Sequence, residues 1–65
     1  MISQLTVEEN FEFFLRLRGV DGIADVIEKM LSDYDLKQCS NIAASRISKN
    51  QKKKLSVALA MMGNS

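Results

Sequence analysis

The chain has 65 residues, 46% of them hydrophobic, with no proline, no histidine and a formal net charge of +1. A chain this short buries only about 60% of its unfolded surface, so one small helical unit is the ceiling, and its apolar content argues against disorder. Without histidine, Ser-His catalysis and most zinc sites are excluded, and the single cysteine, Cys39, excludes an intrachain disulfide.

The first element opens at a capping box, Thr6-Val7-Glu8-Glu9. The Thr6 hydroxyl can accept from the Glu9 N–H while the Glu9 carboxylate reaches back, and Glu8 and Glu9 oppose the positive end of the helix dipole. A helix is predicted over residues 7–18, with Val7, Phe11, Phe14 and Leu15 on one face and Phe13 and Leu17 widening it. Gly19 supplies the left-handed residue that ends such a helix. The face is wider than one neighbouring helix would cover, which leaves part of it for a partner.

Asp21 or Gly22 opens the second helix, predicted over residues 22–34. Ile23, Val26, Ile27, Met30, Leu31 and Tyr34 follow the i, i+3, i+4, i+7, i+8, i+11 spacing of a single helical stripe. From Asp35 to Arg46 the periodicity breaks up, and most of that segment reads as a loop, with a short helical turn expected around Ile42, Ala43 and Ala44. Cys39 falls in this stretch and reads as a buried or idle thiol in a reducing compartment, because the chain has no histidine to activate it as a nucleophile.

The third helix is predicted over residues 49–62. Ser48 and Gln51 form a second capping box at its start, Leu55, Ala58, Leu59 and Met62 make its inner face, and Gly63-Asn64 is the expected stop. The chain's charge is divided along its length. Up to Leu36 there are eight acidic and three basic residues, whereas from Lys37 onward there are six basic residues and no acidic ones. That split reads either as an anion-facing C-terminal half or as two halves that complement each other when packed. Lys52, Lys53 and Lys54 carry no interleaved aromatics, so a solvated face is expected there and no nucleic-acid partner. No apolar run approaches the ~20 residues that span a bilayer, and the first ten residues lack the pattern of a signal peptide. No strand pattern or internal repeat is visible, and the expected fold class is all-α, a small three-helix open bundle.

Two stretches carry a family resemblance. Leu5-Thr6-Val7-Glu8-Glu9-Asn10 resembles the opening of the helical subdomain in ATP-binding cassette (ABC) transporters, and Arg16-Leu17-Arg18-Gly19-Val20 fits the end of its first helix. Ile47-Ser48-Lys49-Asn50-Gln51, followed by lysines and an Ala/Leu helix, resembles the LSGGQ signature motif and the helix after it, most closely in the lipid-transporting A subfamily. Ile47 takes the Leu position, Ser48 the Ser, Lys49 and Asn50 the two glycines, and Gln51 the Gln. The resemblance implies a fragment of an α/β ABC ATPase domain, with the helical signature subdomain occupying residues 1–65.

In that family the motif contacts ATP held by the opposite cassette, so Ser48, Lys49, Asn50 and Gln51 are the expected cofactor-binding residues, with Mg2+ bound elsewhere in the parent chain. The implied partners are the remainder of the cassette, the opposite cassette and the coupling helices of the transmembrane domains, on the cytoplasmic side of a membrane. The phosphate-binding loop, Walker B acid and switch histidine are not among these residues. No catalytic residue is therefore expected here, and the residues should not hydrolyse ATP by themselves. Replacing both glycines is a departure from the motif, because glycine permits close approach and positive φ, and it points to a signature with weakened support for hydrolysis. The contrasting expectation, from the residues alone, is a freestanding helical module that binds a protein or nucleic acid.

Overall fold

The computed structural model describes residues 1–63. They form three α-helices, α1 (Val7–Leu17), α2 (Ile23–Asp33) and α3 (Lys49–Gly63), with two single 3-10 turns, Lys37–Cys39 and Ala44–Arg46, between α2 and α3. No strand occurs among the described residues, only an isolated antiparallel bridge between Thr6 and Ala43. The fold is all-α, as the periodicity indicates. Of the expected stop after α3, Asn64 lies outside the described residues.

Both ends of α1 and the C-terminal end of α2 are set by local hydrogen bonds. At α1 the Thr6 hydroxyl accepts from the Glu9 N–H at 3.0 Å and the Glu9 carboxylate accepts from the Thr6 N–H at 2.8 Å. This reciprocal pairing satisfies two donors that would otherwise be orphaned. The helix ends in a Schellman motif, with Gly19 at φ 71°, its N–H donating to the Arg16 carbonyl and the Val20 N–H reaching the Leu15 carbonyl. α2 ends in the same motif on a non-glycine residue. Asp35 sits at φ 55°, its N–H donates to the Ser32 carbonyl at 3.2 Å, and the Leu36 N–H donates to the Leu31 carbonyl at 2.8 Å. Leu31 and Leu36, the apolar pair that accompanies this motif, are both buried.

α1 packs against both α2 and α3, and α2 also contacts the Lys37–Cys39 turn. The core they enclose comprises Val7, Phe11 and Leu15 of α1, Ile27 and Leu31 of α2, Leu55 and Ala58 of α3, and Leu36, Cys39, Ala44 and Ile47 from the segment between α2 and α3. The irregular segment thus contributes four of the buried apolar residues, although its sequence shows no period. On α1, the wide apolar arc resolves into a buried line (Val7, Phe11, Leu15) and an outer one. Phe14 is half-buried, while Phe13 and Leu17 are 41% and 68% exposed.

The Cys39 thiol is buried and its Sγ lies 3.4 Å from the Leu36 carbonyl oxygen, to which it donates. Burial pushes its pKa up, against a smaller lowering from the backbone N–H of Cys39 itself. The group stays a neutral thiol, consistent with an idle role.

The acidic and basic halves meet at two points. Lys37 pairs with Glu28 at 2.8 Å and Lys54 with Asp35 at 3.7 Å, while Arg16–Glu12 and Lys29–Asp33 pair within their own helices. The complementing-halves reading therefore accounts for two of the six C-terminal cations. Among the described residues, Arg46, Lys49, Lys52 and Lys53 make no ion pair.

Candidate functional site

The four expected cofactor-binding residues lie on one turn, at the N-terminus of α3. Ile47 precedes them in extended conformation (φ −80°, ψ 165°) and is buried in the core, so the chain is pinned one residue before the turn emerges. Ser48, Lys49 and Asn50 are exposed and Gln51 is half-buried. The Ser48 hydroxyl accepts from the Gln51 N–H at 3.1 Å, and the Gln51 side-chain carbonyl accepts from the Ser48 N–H at 3.0 Å. The Ser48 carbonyl receives the Lys52 N–H at 2.8 Å, which is the first turn of α3.

These bonds leave specific groups free for an anion. The Ser48 hydroxyl uses a lone pair in the cap and keeps its proton; Gln51 uses its oxygen and keeps its side-chain NH2. Lys49 and Asn50 are the first two helical residues, and their N–H groups have no acceptor within the helix. The positive end of the helix dipole and the Lys49 ammonium add to the same field, with Lys52 and Lys53 on the following turn. The arrangement offers hydrogen-bond donors and positive charge to a phosphate-like group. It contains neither a general base nor a nucleophile placed for chemistry.

Lys49 and Asn50, at the positions where the resemblance would put two glycines, carry no backbone strain. Lys49 and Asn50 lie inside α3 in right-handed conformation, and among the described residues Asp35 is the only non-glycine at positive φ. Their side chains add bulk and, at Lys49, charge at the surface of the turn.

The turn is held from behind by a clamp that the sequence patterns did not reveal. The segment before α1 and the segment before α3 pair backbone to backbone. The Val7 N–H donates to the Ile42 carbonyl at 3.1 Å, the Glu8 N–H to Ser40 at 2.9 Å, the Ala44 N–H to Leu5 at 2.9 Å and the Ser45 N–H to Ser3 at 3.2 Å. Two of the otherwise orphaned N–H groups of α1 are satisfied this way, by carbonyls more than thirty residues distant in sequence. Asn10, fully buried, secures the same segment. Its Oδ1 accepts from the Ile2 N–H at 2.6 Å, and its Nδ2 reaches the carbonyls of Ile2, Leu5 and Thr6 at 3.0, 3.3 and 2.9 Å.

Two other concave regions flank α1. A groove of about 380 Å³ between α1 and α2 is lined by apolar Ile23, Ile27 and Leu31, by Glu8, Glu12 and Glu28, and by Arg16, which pairs with Glu12. A shallower depression of about 280 Å³ on the outer face holds Leu5, Glu9 and Phe13. With exposed Val57 and Met61 on α3, these leave apolar surface on more than one side.

The turn offers donors and positive charge on an all-α unit, and known proteins supply the comparison. The chain is 37% identical over 62 residues to cholesterol transporter ABCA5 of Mus musculus, a match covering 92% of this chain and 4% of that protein. It is 33% identical over 63 residues to ABC-type organic anion transporter ABCA8B of Mus musculus, covering 94% of this chain and 4% of that protein. It is 36% identical over 67 aligned positions to ATP-binding cassette sub-family A member 2 of Rattus norvegicus, covering 100% of this chain and 3% of that protein. No protein-family model and no solved structure matches the chain. Over nearly its whole length the chain is thus similar to a short segment of A-subfamily ABC transporters, and these likenesses support an A-subfamily transporter fragment. The relatives are transporters, while no helix among the described residues is long and apolar enough to cross a membrane.

Proposed function

We propose that these residues are the helical signature subdomain of an A-subfamily ABC transporter cassette, and that the Ser48–Gln51 turn closes over ATP held by the opposite cassette. The observation that carries the reading is the exposed N-terminus of α3, where the capping box leaves the Ser48 hydroxyl proton, the Gln51 side-chain NH2 and the Lys49 and Asn50 N–H groups available on one turn. These donors fit a triphosphate, which supplies the negative charge they lack. Ser48 and Gln51 would hold a terminal phosphate oxygen. Lys49, standing where a glycine would be, adds a cation to the same surface.

The role of these residues is binding and positioning. Phosphoryl transfer needs a phosphate cradle and Mg2+ ligands, which would be supplied by the rest of the parent. Closure of the turn onto nucleotide would be passed to the membrane domains as a rigid-body displacement of the helical unit, on the cytoplasmic side of the membrane. Lipid transport is the cargo class we carry forward, supported by the similarity to a cholesterol transporter. The exposed apolar residues Phe13, Leu17, Val57 and Met61 are then surfaces for the rest of the cassette or the coupling helices.

The test is Ser48→Ala in the full-length transporter, with nucleotide affinity and ATP turnover measured side by side. A loss in either, at least severalfold, supports the reading. Unchanged turnover together with unchanged affinity removes Ser48 from the mechanism.

A further inference from the structure

We propose that Asn10 is a positioning residue for the Ser48 turn, an inference that rests on the nucleotide-facing reading above. Asn10 touches no exposed surface, and every polar atom of its side chain is used to hold residues 2–6. One of its acceptors, the Leu5 carbonyl, also receives the Ala44 N–H at 2.9 Å. A single oxygen therefore joins the buried amide of α1 to the backbone four residues before Ser48. The Ser45 N–H on Ser3 and the Thr6–Ala43 bridge extend the same contact.

From Ala44 the chain has little freedom before it reaches the turn. The Arg46 N–H closes the 3-10 turn on the Ala43 carbonyl at 2.8 Å, Ile47 is anchored in the core, and Ser48 caps α3. Residues 2–6 and residues 43–48 thus move as one body, with Asn10 as the peg. Whatever displaces the segment leading into α1 displaces Ser48 with it. This couples the entry of the helical unit to its phosphate-facing turn without any contact between Asn10 and nucleotide.

The experiment uses the full-length protein and reads ATP-dependent amide-exchange protection of Lys49 and Asn50 as a function of ATP concentration. Four variants are compared with the unsubstituted protein. Asn10→Asp keeps the volume but removes the Nδ2 donors, and Asn10→Ala removes the side chain. Leu31→Ala is a core deletion in α2 outside the clamp, and Ser48→Ala tests the turn itself. Both Asn10 variants are expected to reduce maximal protection about tenfold or more, within the ~10²-fold that a 1 Å misplacement can cost a positioned site. The half-saturating ATP concentration should move less than twofold, and exchange at Ala44 and Ser45 should accelerate. Leu31→Ala should leave protection intact in the folded fraction.

Protection lost in Ser48→Ala but kept in both Asn10 variants overturns the positioning role while leaving the nucleotide-facing reading in place. An equal loss in Leu31→Ala also overturns it, because general destabilisation then accounts for the effect. Absence of ATP-dependent protection in the unsubstituted protein overturns the nucleotide-facing reading, and this proposal with it.

Discussion

Replacing Asp35 by glycine should make the fold more stable. Asp35 closes the Schellman motif of α2 at φ 55°, and among the described residues it is the only non-glycine in that region. The left-handed conformation costs an L-residue roughly 1 kcal/mol, with Asp toward the lower end because its short side chain can bond locally. Glycine's larger loss of chain entropy on folding takes back about 0.5 kcal/mol. The carboxylate also faces the negative end of the α2 dipole, which at low salt is unfavourable by roughly 0.3–1 kcal/mol. Against these gains stands the Asp35–Lys54 pair at 3.7 Å, whose side chains are 79% and 44% exposed. Such a pair contributes about 0–0.5 kcal/mol. The Gln38 side-chain amide donates to the Asp35 backbone carbonyl and is indifferent to the substitution.

The net expectation is a stabilisation of about 0.5–1 kcal/mol, or a rise in Tm of about 2–8 °C for a chain of this size. Thermal melts followed by circular dichroism, at low salt and in molar salt, measure it. Asp35→Ala separates the contributions, because it removes the carboxylate but leaves a Cβ at positive φ. Asp35→Gly should exceed Asp35→Ala by about 0.5–1 kcal/mol, the left-handed cost less glycine's entropy loss, with the gap insensitive to salt. If the two variants melt together, the left-handed strain assigned to Asp35 is wrong.

Three further outcomes follow from the packing and the caps. Phe11→Ala empties a fully buried site and should cost about 3–5 kcal/mol in urea unfolding, enough to unfold a chain this small. Leu17→Ala, at 68% exposure, should change stability by less than about 0.5 kcal/mol by the same method. Ser48→Ala should cost about 1 kcal/mol through the lost cap whereas Ser48→Gly should cost only a few tenths, so this pair calibrates the structural share of any functional defect. Cys39 should react slowly with a thiol reagent until the chain is unfolded. Its pKa is raised by burial, so it stabilises the fold below the unfolded-chain value and withdraws that contribution as pH climbs through the folded value. Denaturant midpoints measured across the alkaline range should therefore fall, and a Cys39→Ala variant should lose that slope.

The features legible in the sequence are those decided within four residues. Both capping boxes form with their expected partners, Thr6 with Glu9 and Ser48 with Gln51, because a side chain three residues away needs no tertiary information. The Gly19 stop is of the same kind, as are the buried Ile27 and Leu31 of the α2 stripe. α1 runs to Leu17 and α2 over Ile23–Asp33, each inset slightly from the expectation because the cap residues Arg18, Gly22 and Tyr34 lie outside the regular helices.

What the pattern could not resolve depends on distant partners. Asn10 sits on the α1 face beside Phe11, and only the fold of residues 2–6 over it explains a buried amide there. The clamp between residues 3–8 and 40–45 joins backbone groups, which no side-chain pattern encodes. The spacing separates Phe14, on the inner face of α1, from Phe13 on its flank, but how far each is covered, Phe14 half-buried and Phe13 exposed, depends on the elements packed around α1. Asp35 is a different case: its partners are near, the Leu36 N–H closing on the Leu31 carbonyl, but an aspartate does not mark a left-handed residue as a glycine does.

The central claim is that the Ser48 turn meets nucleotide held by another cassette. A disulfide trap measures this directly: Ser48→Cys in the full-length transporter, paired with a cysteine introduced in the phosphate-binding loop of the opposite cassette. Cys39 is buried and should add little background. The account predicts a cross-link that forms with ATP and is sparse without it. A cross-link indifferent to ATP, or none under any nucleotide condition while both thiols remain reactive, would contradict it.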